Sequence, residues 1–223
     1  MLVRPSVHFA AIDLSGPCCS FSLFDYIESK IIETKSILLE NRNNHSFFKL
    51  FFSSIESLDI DIEKIAEWRV GIGPGSFTGL RVASSFVSGI VYGKKEIRVK
   101  PIPSAYPIAA KLNSLPGARI AVLYYASRGE VLVYKLENVN DFISSKQAPV
   151  LLNREDLIQE LEDYDHVAYF KNKFIADILP ANLNRKVEVF DKYPIELMFL
   201  DRYIIPNYSL RDLIYVRPAT ITS

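Results

Sequence analysis

Gly73, Gly75 and Gly79 stand at the spacing G-x-G-x-x-x-G, directly after the apolar run Trp68–Ile72 and directly before a stretch of helical periodicity. Glycines at a strand-to-helix turn let backbone amides approach a phosphate, and the first turn of the helix offers unpaired N–H donors to an anion. The spacing is one residue too long for the dinucleotide fingerprint, and no acidic residue follows where a ribose would need one. A Walker-type loop needs G-K-[ST], which the sequence lacks. Ser76 lies in G-x-G-S-F-T-G rather than G-x-S-x-G, with no histidine placed to activate it, so acyl transfer has no nucleophile here. His8, His45 and His166 are isolated from one another. Cys18 and Cys19 are neighbours, which strains a disulfide and falls short of a four-cysteine zinc site. From spacing alone, the turn requires small residues and nothing more.

The elements that must position these residues alternate in period. Val7–Leu14 is a nearly continuous apolar run closed by Asp13, Ser15, Gly16 and Pro17, which predicts a central strand and a turn. Cys18–Tyr26 and Ile31–Leu38 read as two further strands, with both cysteines buried in the first of them. Asn44 is placed to cap a helix from His45 to about Leu58, with Phe48, Phe51, Phe52 and Ile55 on its apolar side. A short helical piece over Asp61–Glu67 leads into the strand Trp68–Ile72. Pro74 and Ser76 then open a helix whose apolar positions run through Phe77, Leu80, Ala83, Phe86, Val87, Ile90 and Val91. Arg98–Ile102 completes a set of strand, strand, strand, helix, strand, helix, strand. Pro101 and Pro103 bracket a boundary between an N-terminal lobe, 1–102, and a C-terminal lobe, 103–223.

The second half echoes the first in reduced form. Ser104 starts a helix through Leu112, Arg119–Ala126 and Val131–Glu137 make a hairpin about Ser127-Arg128-Gly129, and Asn153 caps Arg154–Tyr164. His166–Phe170 and Val187–Phe190 are short strands, with helical pieces over Phe174–Leu179 and Ile195–Tyr203.

Composition bounds the function classes. Lys plus Arg and Asp plus Glu are 26 each in 223 residues, a formal net charge of zero. A chain that grips nucleic acid by charge alone needs clustered Lys and Arg, so any service to RNA would borrow a partner's grip. No run of 18 apolar residues exists, and the N-terminus reaches Asp13 too soon for a signal-peptide core, which places the chain in the cytoplasm. An apolar content of 49% is enough for a sizeable core.

The string GIGPGSFTGLRVASS closely resembles the signature of the TsaB family (YeaZ, formerly glycoprotease-like), which reads much like G-x-GPGSFTG-[LIV]-R-[IV] and is matched by Gly71, Gly73 to Gly79, Leu80, Arg81 and Val82. LIYVR at 213–217 and RGEV at 128–131 resemble two further segments of that family. The resemblance implies a two-lobed α/β fold of the actin-like, ribonuclease-H-like superfamily. It also implies a role as partner of TsaD in making threonylcarbamoyladenosine at position 37 of tRNAs reading codons that begin with A. TsaD would then hold the metal and the active site, a TsaE-like subunit would add ATPase function, and tRNA would be met through the complex. Proteins of the family pair through the N-terminal lobe, with TsaD or with themselves. On this chain that region carries His45, Phe48, Phe52, Gly75, Ser76, Phe77, Thr78, Gly79 and Arg81. Arg81 is available for a salt bridge or a phosphate, and the small residues of its helix, Gly79 and Gly89 among them, would let a second helix come close. On that reading a bulky residue at Gly79 abolishes pairing and leaves the fold intact.

Members of the superfamily that work on ATP hold Mg-nucleotide between the lobes with an acidic residue ending the first strand of each half. Asp13 stands at the first of these places, where it either contacts a nucleotide or caps the turn at 15–17. At the second, Tyr124 and Tyr125 stand where a carboxylate is needed, and Tyr125 and Ser127 replace an Asp and an Arg common in the family. The expectation is a subunit that is not catalytic by itself and carries no cofactor or metal. Its rival is a divergent kinase or ATPase that binds nucleotide between its lobes.

Overall fold

His8–Asp13 (β1) is an apolar strand with both faces covered, as a strand at the centre of a layered fold must be. Cys18–Asp25 (β2) and Lys30–Leu38 (β3) follow it as antiparallel neighbours. The chain then crosses through the helix His45–Ser57 (α1) to Glu67–Gly71 (β4), and through Phe77–Val91 (α2) to Arg98–Ile102 (β5). Both of these strands run parallel to β1, giving the order β3-β2-β1-β4-β5. The computed structural model describes residues 7–38, 45–180, 183 and 187–216, so the Asn44 cap and Arg217 lie outside it.

The second sheet repeats this plan. Arg119–Tyr125 (β6) pairs antiparallel with Val131–Val139 (β7), which pairs with Phe142–Ser144 (β8) and with Val150–Leu152 (β9). The helix Arg154–Leu161 (α4) leads to His166–Phe170 (β10), and Lys173–Ile178 (α5) leads to Val187–Phe190 (β11). β10 is parallel to both β6 and β11, so β8-β7-β6-β10-β11 has the connectivity of the first sheet. A last short strand, Tyr203–Ile204 (β12), adds to β8.

Three corrections to the sequence reading come from this half. Ile195–Tyr203 divides into a 3-10 turn, Ile195–Phe199, and the strand β12. β8 and β9 are three residues each, too short to show an alternating period. Ser104 precedes the helix Ala105–Lys111 (α3) without capping it, because its hydroxyl is engaged by Asp13 instead.

Three apolar layers hold the elements. Beneath α1 and α2, Phe21, Phe47, Phe51 and Trp68 are fully buried, with Phe47 stacked on Phe51, and with Phe21, Trp68 and Phe86 meeting them edge to face or tilted. Each such side chain contributes roughly 1.5–3 kcal/mol by leaving water. Outside the second sheet, Leu157, Leu161 and Ile175 of α4 and α5 cover Ala121, Leu123 and Val133. The third layer lies between the sheets. α3, buried at six of its seven positions, joins Ala11 and Ile102 of the first sheet to Ile120, Val122, Tyr134 and Leu136 of the second. A shared close-packed core makes the lobes one body, since such interiors resist sliding.

Buried charge and the C-terminal segment bind the same junction. Glu67, 1% exposed, is held by Arg69 at 2.7 Å, Arg98 at 3.2 Å and Lys100 at 3.4 Å. Arg69 also donates to the Met198 carbonyl at 2.7 Å and to Asp201 at 3.0 Å, so neither of the two buried charges, Glu67 and Arg69, is left unpaired. Beyond β12 the chain returns to the first lobe. The Ser84 hydroxyl donates to Leu210 O at 2.7 Å, and the Ile214 amide donates to Ile72 O at 2.7 Å.

Candidate functional site

The turn between β4 and α2 is shaped by what lies against it. Gly71, Gly75 and Gly79 each face the β1 turn: an added Cβ would stand 2.0 Å from Asp13 Oδ2, 2.2 Å from Ser15 O and 1.9 Å from Leu14 O respectively. Gly73 has φ +98°, left-handed backbone that favours glycine, and its missing side chain admits Ile214 O of the returning C-terminal segment. The glycines of this string are therefore used up in packing inside the protein, against main chain at Gly73, Gly75 and Gly79 and against the Asp13 carboxyl at Gly71. That corrects the expectation for Gly79, which is buried against Leu14 and cannot exchange its hydrogen for a bulky group with the fold intact.

Ser76 caps α2, accepting from the Gly79 amide at 3.3 Å. Ser76→Ala should cost about 1 kcal/mol. A denaturant titration checks this, and an unchanged midpoint would mean that the cap adds nothing.

From this anchored turn α2 presents an exposed stripe, Thr78, Arg81, Ser85, Ser88, Gly89 and Tyr92, at helical spacing. The Arg81 guanidinium lies over the Phe77 ring at 3.8 Å and donates to the Tyr215 hydroxyl at 3.3 Å. Phe77 in turn packs on Tyr215 at 4.9 Å. Within the chain the exposed Arg81 is thus braced by two aromatic side chains. Beside the stripe, Phe48 and Phe52 of α1 pack on Phe86 at 4.8 and 6.0 Å, with Phe52 47% exposed. Gly89 has open space where a side chain would begin.

Of the expected contact residues, Phe48 and Phe52 stand together with Phe86, and Ser76, Phe77, Thr78 and Arg81 form the head of α2, while Gly75 and Gly79 turn inward. His45 is the first residue of α1, and its side chain lies outside the described residues. Gly89, expected to let a second helix come close, has the open space for it, and Tyr215 joins the surface without having been singled out for contact. The LIYVR resemblance flagged Tyr215, but only the returning chain shows what it touches.

Asp13 ends β1 with both oxygens engaged. Oδ1 accepts from the Ser15 amide at 2.7 Å and lies 2.5 Å from Ser15 Oγ, and Oδ2 lies 2.5 Å from Ser104 Oγ. Burial raises its pKa above the ordinary carboxylate value, and the hydrogen bonds from Ser104 and Ser15 only partly oppose this. A cavity of about 550 Å3 opens between the lobes, lined in part by Ser76, Phe77, Tyr125, Phe170, Lys171 and Asn172. Asp13, 2% exposed, is not on its wall. At the matching end of β6, Tyr124 points into the interlobe core and Tyr125 packs on Phe174 at 4.8 Å. Among the described residues, no three His, Cys, Asp or Glu side chains are grouped to hold a metal, and no helix is long and apolar enough to cross a membrane.

Comparison with solved structures places this architecture. YeaZ from Pseudomonas aeruginosa superposes with a TM-score of 0.66 at 16% identity, over 86% of this chain and 88% of that one. This chain has the YeaZ fold. A second structure, described as an uncharacterised protein similar to the peptidase YeaZ from Pseudomonas aeruginosa, matches with a TM-score of 0.59 at 17% identity over 74% and 75% of the two chains. No family profile and no curated protein matches the sequence. The YeaZ fold accounts for the two sheets of like connectivity. It places the GPGSFTGLR string at the turn where β4 meets the exposed helix α2.

Proposed function

We propose that this chain is a TsaB-type subunit, not catalytic by itself, that pairs through α1 and α2 with a TsaD-like protein and supports threonylcarbamoyl transfer to adenosine 37 of tRNA. The observation that carries this reading is the surface of α2. The string that resembles the TsaB signature is spent on bracing the helix against β1, and what the helix then offers is a stripe of small side chains, Ser85, Ser88 and Gly89, with Arg81 at its head, open space at Gly89 and the half-exposed Phe52 beside it. Faces of this kind suit close helix packing. The burial of Asp13 away from the interlobe cavity, with tyrosines at the matching end of β6, supports the same reading. Metal, ATP and tRNA would be handled by partner subunits, in the cytoplasm.

Mixing the chain with a TsaD-like protein and following both by gel filtration tests the pairing, for which co-elution is expected. Adding the chain to TsaD, TsaE and the enzyme that makes threonylcarbamoyl-adenylate should restore modified adenosine in tRNA, and no restoration would refute the assignment.

The interlobe cavity favours a second reading, nucleotide binding by the chain itself. Calorimetry with Mg-ATP separates the two. Micromolar binding to the lone chain would support a divergent kinase or ATPase, and the subunit reading expects no heat.

A further inference from the structure

Four oxygens, two of Asp13 and one each of Ser15 and Ser104, make three close contacts that need three protons. Ser15 Oγ lies 2.5 Å from Asp13 Oδ1, Ser104 Oγ lies 2.5 Å from Asp13 Oδ2, and the two hydroxyls lie 3.0 Å from each other. All three are hydrogen-bond distances. Two serines supply two protons for three contacts. If the carboxyl is ionised, both serine protons go to it and the contact between the hydroxyls has none. A proton on the carboxyl supplies the third, and each of the three residues then donates once around the ring.

We infer that Asp13 is a neutral carboxylic acid in the folded protein, and that with Ser15 and Ser104 it closes a ring of three hydrogen bonds that locks the junction of β1, the β4 turn and α3. The ring's position explains its consequence. Ser104 also accepts from the Gly73 amide at 3.2 Å, and the Ser15 carbonyl accepts from the Ser76 amide at 2.7 Å, so the ring braces the turn that carries α2. Gly71 has no side chain because the Asp13 carboxyl fills its place.

The surroundings favour the neutral form. Asp13 is 2% exposed, and the ionisable groups that face it are Cys19 of β2, Tyr124 of β6 and Tyr193 between β11 and the 3-10 turn, none of them a cation. The Tyr124 and Tyr193 hydroxyls are themselves buried without a well-formed hydrogen bond, although Tyr193 faces Asp13, and burial holds each phenol well above its ordinary pKa. An uncompensated carboxylate in such a place is costly, whereas a neutral acid with both ends bonded is not.

Linkage sets the sign of the test. A carboxyl whose folded pKa is raised contributes stability that is fully present below its unfolded value, near 3.9, and is lost as pH rises through the folded value. Asp13→Asn keeps three bonds with three protons, its oxygen toward Ser15 and its amide toward Ser104, and does not titrate. The melting temperature of Asp13→Asn minus that of the wild type should therefore grow as pH rises above the unfolded value and keep growing through neutral pH, levelling off only where the folded carboxyl itself ionises. In the infrared difference spectrum between the two at near-neutral pH, the wild type should show the carbonyl band of a protonated acid. A difference that shrinks with rising pH, or a wild type with no such band, would overturn the inference. Should the variant not fold, carbon-13 NMR of the wild type still decides, since one aspartate carboxyl must stay protonated after the exposed ones have ionised. All of these readouts use the chain alone and are independent of its pairing with any partner.

Discussion

Gly79→Leu is expected to yield little folded protein, a loss of about 3 kcal/mol or more, in place of a well-folded chain that merely fails to pair. The first atom of any side chain at this position would lie 1.9 Å from the Leu14 carbonyl oxygen, which is main chain and cannot rotate aside. Overpacking a close-packed interior forces backbone shifts, and here the displaced segments are α2 and the β1 turn. The same movement would part Ser15 from Ser76 and Gly75, whose close approach has no slack. Circular dichroism melting and the soluble fraction on expression measure the effect. A variant that melts like the wild type would show that the α2 turn is held far more loosely than these contacts require.

Gly89→Arg is expected to do the opposite. Nothing lies within 4 Å of the position where its side chain begins, so the fold should stand. Replacing glycine inside an exposed helix gains about 0.5–1 kcal/mol of helix stability. On the proposed function, the same side chain fills the space that a partner helix would use and sets a charge beside Phe52 and Phe86. Pairing with a TsaD-like protein, or self-association, should weaken by about 100-fold or more, roughly 3 kcal/mol. Sedimentation of the mixture, read beside a melting curve of the lone chain, separates a lost surface from a lost fold. If wild type and Gly89→Arg pair equally well, the α2 stripe is not the interface. If neither pairs, the proposed partner is wrong and the stability prediction still stands.

Much of this molecule is written in local pattern. The continuous apolar run of β1, the change of period at Gly73–Ser76 and the caps at Ser76 and Asn153 needed only neighbours in sequence, and the structure has β5, β10 and β11 at the residues read for them. The GPGSFTGLR string carried the fold as well, through its resemblance to a family whose architecture this chain shares. Periodicity also drew α1 correctly but not its outward face. Phe47, left off the apolar side in the sequence reading, is fully buried, while Phe52 is exposed, because two sheet strands and α2 decide which sector of that helix is covered.

What the glycines are for was decided only in three dimensions. In sequence, Gly71, Gly75 and Gly79 are equally consistent with a phosphate loop, a partner helix or internal packing, since each needs only the absence of a Cβ. The choice rests on Asp13, Leu14 and Ser15, some sixty residues earlier, whose atoms occupy the space. Asp13 is the same kind of case. Its type and its place at a strand end suit a bound nucleotide, but whether a carboxyl faces a cavity or a serine depends on Ser104, brought to it by the parallel pairing of β1, β4 and β5. Local sequence determines where the chain bends and which residues shun water, because those preferences act over a few residues. Only the tertiary structure determines which polar atoms find one another, because hydrogen bonds and steric contacts are settled over a few ångströms of space, whatever their distance along the chain.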